Sequence, residues 1–201
     1  MKHLRKVSAC SIAKFGILLI CLAALATPRA HASALEGQIF EDVVQLANRN
    51  LHLNGLGVRK IFFIKAYVAG IYVSEKVSTP QELMTLAGPK RLQLRMLRSA
   101  GPDDFNSALV SGMRKNSSEA ELSKLNDRIV QLELAIKSIG STVKGDVINL
   151  DYLPDLGTRL AVNGISQSKM IAGADFYAAL LSIFVGDKPV DAMLKKGLLG
   201  Q

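Results

Sequence analysis

The chain has 201 residues, 49% of them hydrophobic and 21% charged, and a formal net charge of +8. Five of its bases, Lys2, Arg5, Lys6, Lys14 and Arg29, fall in the first 32 residues, which hold no acid. Beyond them 20 bases face 17 acids, so the remaining +3 gives no argument for a nucleic-acid partner. Both cysteines, Cys10 and Cys21, lie in that same segment and only His52 follows it, which argues against a disulfide framework and leaves too few ligands for a catalytic metal.

Met1 to Lys6 is basic, Phe15 to Ala26 is apolar, and Ala30-His31-Ala32 supplies small residues around a cleavage point. That order is read by export machinery and signal peptidase, so residues 1–32 are expected to be a cleavable signal and the protein to be periplasmic or secreted. The apolar run falls short of the roughly 20 residues needed to span a bilayer, so no stable membrane anchor is expected. Ile20, just before Cys21, is bulkier than a lipoprotein cleavage site accepts. Residues 33–201 then suit one domain with its own core.

Leu51 to Val73 is rich in β-branched and aromatic residues and reads as two or three strands, with turn chemistry at Asn54-Gly55 and Gly57. Lys90 to Arg98 alternates apolar and polar, the pattern of a half-buried strand. After Gly101-Pro102 the period changes: Phe105, Leu109 and Met113 recur every four residues behind Asp103 and Asp104, predicting a helix. A second helix is predicted from Ser118 to Gly140 on the spacing of Leu122, Leu125, Ile129, Leu132 and Ile136. Strands return at Asp146 to Tyr152 and Thr158 to Val162, and Asn163-Gly164 turns into a short strand over Ile165 to Ile171. Asp175 to Val185 and Val190 to Lys196 read as closing helices. The order predicts an α+β domain in which an antiparallel sheet is covered mostly on one face.

Few residues point to chemistry. No phosphate-binding glycine loop, nucleophile elbow or histidine placed for a serine is visible, and no cofactor or metal is expected. The informative stretch runs from Leu53 to Val73. If Val58 to Ile64 is one strand, Arg59 shares a face with Ile61 and Phe63, and Lys60 with Phe62 and Ile64. One cation then sits at the rim of an apolar face, where a guanidinium either caps a cavity and holds a carboxylate or carbonyl, or pairs with an acid on a neighbouring element.

Gly57-Val58-Arg59, Lys65 and Gly70-Ile71-Tyr72 resemble the signature of the chalcone isomerase family. Val162-Asn163-Gly164, Gly173-Ala174-Asp175-Phe176, Ala179-Leu180-Leu181 and the run from Val185 to Asp191 resemble its secreted bacterial chalcone isomerase-like branch. The resemblance implies an open sandwich, a large antiparallel sheet backed by helices with a ligand cleft between them. It gives Arg59 the part of gripping the oxygen-bearing end of a ligand, a carboxylate in fatty-acid-binding members or a carbonyl in the isomerases. It puts Tyr67 where those enzymes carry a threonine, Phe105 where they carry a catalytic tyrosine, and Gly112 near an asparagine. The implied role is therefore a non-catalytic binding protein for an acidic or carbonyl-bearing apolar small molecule such as a fatty acid. Its ligand-binding residues would be Arg59 and Tyr67, with apolar walls from Phe63, Phe105, Leu109 and Met113. Two alternatives stay open: an isomerase (intramolecular lyase) with Arg59 and Tyr67 as catalytic residues, and a protein-interaction module using the helix face from Ser118 to Lys137.

Overall fold

A computed structural model describes residues 32–201; the expected export signal lies outside the described residues except for Ala32. A hairpin of β1 (Ala32–Leu35) and β2 (Gln38–Glu41) precedes a seven-stranded antiparallel sheet in sequential order. The sheet comprises β3 (Val43–Leu46), β4 (Arg49–Ile61), β5 (Ile64–Val73), β6 (Lys90–Met96), β7 (Val147–Leu153), β8 (Gly157–Val162) and β9 (Ile165–Ser166). Helices α1 (Pro80–Thr85), α2 (Pro102–Asn116), α3 (Glu119–Ile139), α4 (Ala174–Val185) and α5 (Ala192–Leu198) complete the α+β open sandwich.

Alternation decides which residues meet the helices. Ala69, Ile71 and Val73 of β5, Leu92, Leu94 and Met96 of β6, and Ile148 and Leu150 of β7 form one buried cluster with α2, α3, α4 and α5. The intervening residues of β5, Val68 and Tyr72, face the other way into a smaller cluster closed by Phe40 of β2. Gly70 is bare there because a Cβ would lie 2.8 Å from the Phe40 ring. Further along that outer face the sheet is polar: Asp151 accepts from Arg91 at 2.6 and 2.9 Å and from Arg159 at 2.7 Å, tying β6, β7 and β8 in register. Helix α4 is buried on nearly all sides, with Phe176, Leu180, Ile183 and Phe184 all in the core.

Three local expectations are corrected. Asn54-Gly55 and Gly57 are not a turn but lie within β4, because α5 lies against that strand. A Cβ on Gly57 would be 2.7 Å from the Leu194 carbonyl, and one on Gly55 would collide with the Gly197 carbonyl, so the glycines are where strand and helix backbones touch. The strand read over Val58 to Ile64 is broken at Phe62-Phe63, a two-residue connection between paired Ile61 and Ile64. No glycine or asparagine signals it. Ile165 to Ile171 is strand only at Ile165–Ser166, after which Ile171 rejoins the sheet as a single bridge to Thr158. Among the described residues no helix is long and apolar enough to cross a membrane.

The register shift between Leu53 and Gly55 leaves Asn54 as the extra residue of a β-bulge, which re-aims its side chain. Its amide donates to the carbonyls of Leu198 at 2.8 Å and Val77 at 3.0 Å and accepts from the Val77 N–H at 2.8 Å, all in a largely buried setting. Asn54→Ala strands these backbone groups and should cost about 2–3 kcal/mol. At about 2–4 °C per kcal/mol for a domain of this size, the melting temperature should fall by roughly 5–10 °C; an unchanged melt would show that the bulge does not hold the C-terminal helix.

Candidate functional site

Arg59 pairs across the β4–β5 ladder with Tyr67, so the two side chains project from the same face of the sheet. That face is the helical one, since Tyr67 packs against the large core cluster. The start of α5 completes the group. Asp191 is its N-cap, its Oδ1 accepting from the N–H groups of Met193 at 2.9 Å and Leu194 at 3.1 Å, while its Oδ2 accepts from the Lys60 N–H at 3.1 Å. One carboxylate therefore fastens the helix start to β4 beside the second register shift, between Arg59 and Lys60.

Arg59 donates from Nη1 to the Lys60 carbonyl at 2.7 Å, and the same nitrogen stands 3.7 Å from Asp191 Oδ2. The acid partner that the sequence left open is thus present, but beyond the 2.7–2.9 Å of a charge-assisted hydrogen bond. Only one of the five guanidinium N–H donors is engaged among the described residues. The side chain keeps 24% of its surface exposed against 13% for Asp191, so the cation is half-sheltered and still reachable.

Burial pushes the Tyr67 hydroxyl up, with Arg59 pulling it down and Asp191 pushing it up again; the net shift is upward and the phenol stays protonated, able to donate. Burial also pushes the Asp191 carboxyl up, but the Lys60, Leu194 and Met193 N–H groups and the Arg59 charge outweigh it, leaving the carboxyl below its usual range. Together these give an electropositive fork, a neutral hydroxyl beside it and a fixed anion behind it. The set can bind an anionic or carbonyl oxygen, but lacks a group poised to exchange a proton near neutral pH.

The apolar residues expected as walls divide. Phe105, Leu109 and Met113 of α2 are buried in the cluster that Tyr67 joins. Phe63 is not part of it: as half of the β4–β5 connection it is 100% exposed, because the strand ends at Ile61 and the chain reverses there. Gly112, also on α2, has no space for a side chain, since a Cβ would sit 2.6 Å from Ile183 of α4. Elsewhere a hollow of about 400 Å³ opens between the α2–α3 junction and α4, lined by Asn116, Glu121, Lys124, Asp175 and Ser182; Arg59 and Tyr67 do not line it. Among the described residues no cluster of three or more His, Cys, Asp or Glu is placed to hold a metal.

Sequence reasoning gave Asp191 no role. The available signal was an aspartate two residues after Pro189 and directly before a helical run, a common N-cap arrangement. Its second bond, to a strand 131 residues earlier, has no local signature.

Residues 32–200 match the family described as chalcone isomerase-like. Among solved structures the chain is similar to a fatty-acid binding protein of Arabidopsis thaliana, with a TM-score of 0.66 and 14% identity over 84% of this chain and 96% of that one. No curated protein matches it in sequence at a significant level.

Asp191→Ala removes both the cap and the strand tie and should cost about 1–2 kcal/mol at neutral pH. The folded carboxyl titrates below its unfolded value of about 3.9. Its contribution is therefore complete above that value and disappears as pH falls through the lower folded one. Denaturant unfolding at pH 7 and near pH 2 should show the gap between wild type and variant closing in acid, and a gap independent of pH would count against the charged cap.

Proposed function

We propose, for a chain that belongs to the chalcone isomerase-like family, that it binds an apolar small molecule bearing a carboxylate or carbonyl, a fatty acid being the leading candidate, and that Arg59 holds the polar end. The observation that carries the reading is the state of Arg59: a half-sheltered guanidinium with one engaged donor and a loose 3.7 Å acid partner. A structural ion pair at this position would be closed and satisfied, as Arg91 with Asp151 is at 2.6 and 2.9 Å. Tyr67, protonated and directly across the ladder, would add a second donor to the same oxygen. An alkyl chain would run against apolar surface of α2 around Phe105, Leu109 and Met113, parting side chains that are closely packed here.

The likeness to a plant fatty-acid binding protein supports the ligand class. A non-catalytic role is supported by Phe105, which brings no hydroxyl to the family's tyrosine position, and by Gly112, whose tight contact with Ile183 leaves no room for an amide. Loss of one oxyanion donor alone commonly costs about 3 kcal/mol of barrier lowering. Binding is further proposed to take place outside the cytoplasm, after removal of residues 1–32, on the strength of the basic, apolar and small-residue order of that segment.

Titration with a long-chain fatty acid should give saturable binding that Arg59→Ala weakens at least about tenfold, the loss expected when a charge-assisted bond worth roughly 1.5–3 kcal/mol is removed. Melting temperatures of the two proteins should stay close. Chalcone should not be cyclised by either. Equal affinity of wild type and variant, or no binding of any long-chain acid, would overturn the assignment of Arg59.

A further inference from the structure

The connection between β4 and β5 carries two costs that nothing else in the described chain offsets. Ile61, Phe62, Phe63 and Ile64 are 47%, 92%, 100% and 47% exposed, an unbroken apolar tetrapeptide held out at the end of a two-stranded projection. The projection reaches past the neighbouring strand, since β6 pairs with β5 only from Tyr67 onward. Phe62 also sits at φ 53°, the left-handed region that glycine or asparagine occupies readily and a bulky aromatic does not. An Asn or Gly at this point would relieve the strain and remove the exposed ring together, so stability alone does not account for the pair.

The flanks are basic. Lys60 is exposed and, among the described residues, makes no salt bridge; Lys65 is paired at 2.6 Å with Glu36 yet remains 46% exposed. Arg98 is exposed one residue beyond Leu97, whose N–H bonds the Ala66 carbonyl, and so stands at the same end of the sheet. An aromatic tip ringed by Lys and Arg has the charge and polarity order of a bilayer interface with anionic lipids: rings at the headgroup and acyl boundary, cations at the phosphates.

We infer that the Ile61–Ile64 tip docks the protein on an anionic lipid bilayer, Phe62 and Phe63 entering the interface and Lys60, Lys65 and Arg98 lying against lipid phosphates. The contact is peripheral and reversible, since two rings and a few cations fall far short of a spanning segment. It goes beyond the ligand reading and does not require it, although the tip begins only two residues from Arg59 and would bring that residue close to the lipid surface.

The test is cosedimentation with vesicles of phosphatidylcholine containing phosphatidylglycerol, against vesicles of phosphatidylcholine alone. Residues 33–201 are used, so that the apolar run from Phe15 to Ala26 cannot contribute to lipid binding; they carry the described core and, but for Ala32 of β1, every strand and helix described. Binding to the anionic vesicles, weakened by salt, is expected to drop at least about tenfold in Phe62→Gly/Phe63→Ser. That double variant should melt at the wild-type temperature or above, because glycine suits the backbone at position 62, and should keep its Arg59-dependent fatty-acid affinity. Failure of wild type to sediment with either vesicle, or equal sedimentation of wild type and tip variant, would overturn the inference. So would a dimer in sedimentation velocity that the tip variant dissolves while vesicles bind neither protein, since the tip would then meet a second copy of the chain.

Discussion

The contact between α5 and β4 is the constraint on which the site depends. A helix backbone can lie directly against a strand where the strand residues facing it carry no Cβ, and β4 supplies Gly55 and Gly57 opposite the helix segment from Leu194 to Leu198. Once the helix lies there, its N-terminus falls beside Arg59 and Lys60 and its C-terminus beside Asn54. Polar side chains hold both ends, Asp191 reaching to the Lys60 N–H and Asn54 to the Leu198 carbonyl. Without the glycine track the helix would stand off the sheet, and Arg59 would have neither its acid nor its shelter.

This arrangement explains why Arg59 is restrained without being neutralised. Asp191 already accepts three backbone N–H groups, two on Oδ1 and one on Oδ2, which hold the carboxylate to the helix start and to the strand. What remains for the guanidinium is a charge at 3.7 Å, enough to orient and too distant to saturate it. The contrast with Asp151 is instructive. Asp151 is almost wholly enclosed and gives both oxygens to Arg91 and Arg159, so both cations close short ion pairs with the strand between them. The two faces of the sheet thus use arginine differently, one closing ion pairs at 2.6 and 2.7 Å between strands and the other leaving its acid 3.7 Å away.

The fold was legible wherever side-chain period alone decides structure. The helix over Phe105, Leu109 and Met113 and the alternating strand over Leu92, Leu94 and Met96 are present and bury the faces their spacing indicated. What could not be read locally was what a distant element imposes. Asn54-Gly55 carries turn chemistry, but α5, some 140 residues later, overrides it and makes the asparagine a bulge and the glycine a contact point. The Arg59 and Tyr67 pairing was legible only in part. Resemblance singled out both residues, yet their shared face follows from the break at Phe62-Phe63 together with the register shift between Arg59 and Lys60, and the break contradicts local preference.

Phe63 shows how such a conflict should be weighed. Hydrophobicity and β propensity both favour a buried strand position, and on that ground it belongs with Phe105 and Met113. A local rule broken twice in succession, once by backbone angle and once by exposure, departs from the consistency that folding alone selects for. Other apolar side chains are exposed, Ile39, Leu134, Ile165 and Met193 among them, but among the described residues every other phenylalanine is buried, Phe176 and Phe184 of α4 included. The rings at the tip remain outside because the β4–β5 hairpin closes at Ile61 and Ile64, a closure that pairs Lys60 with Lys65 and by itself would leave Ala66 opposite Arg59. The register shift between Arg59 and Lys60 then adds one residue on β5 and brings Tyr67 opposite Arg59, so the exposed tip and the half-sheltered cation are set by a turn and a bulge in succession.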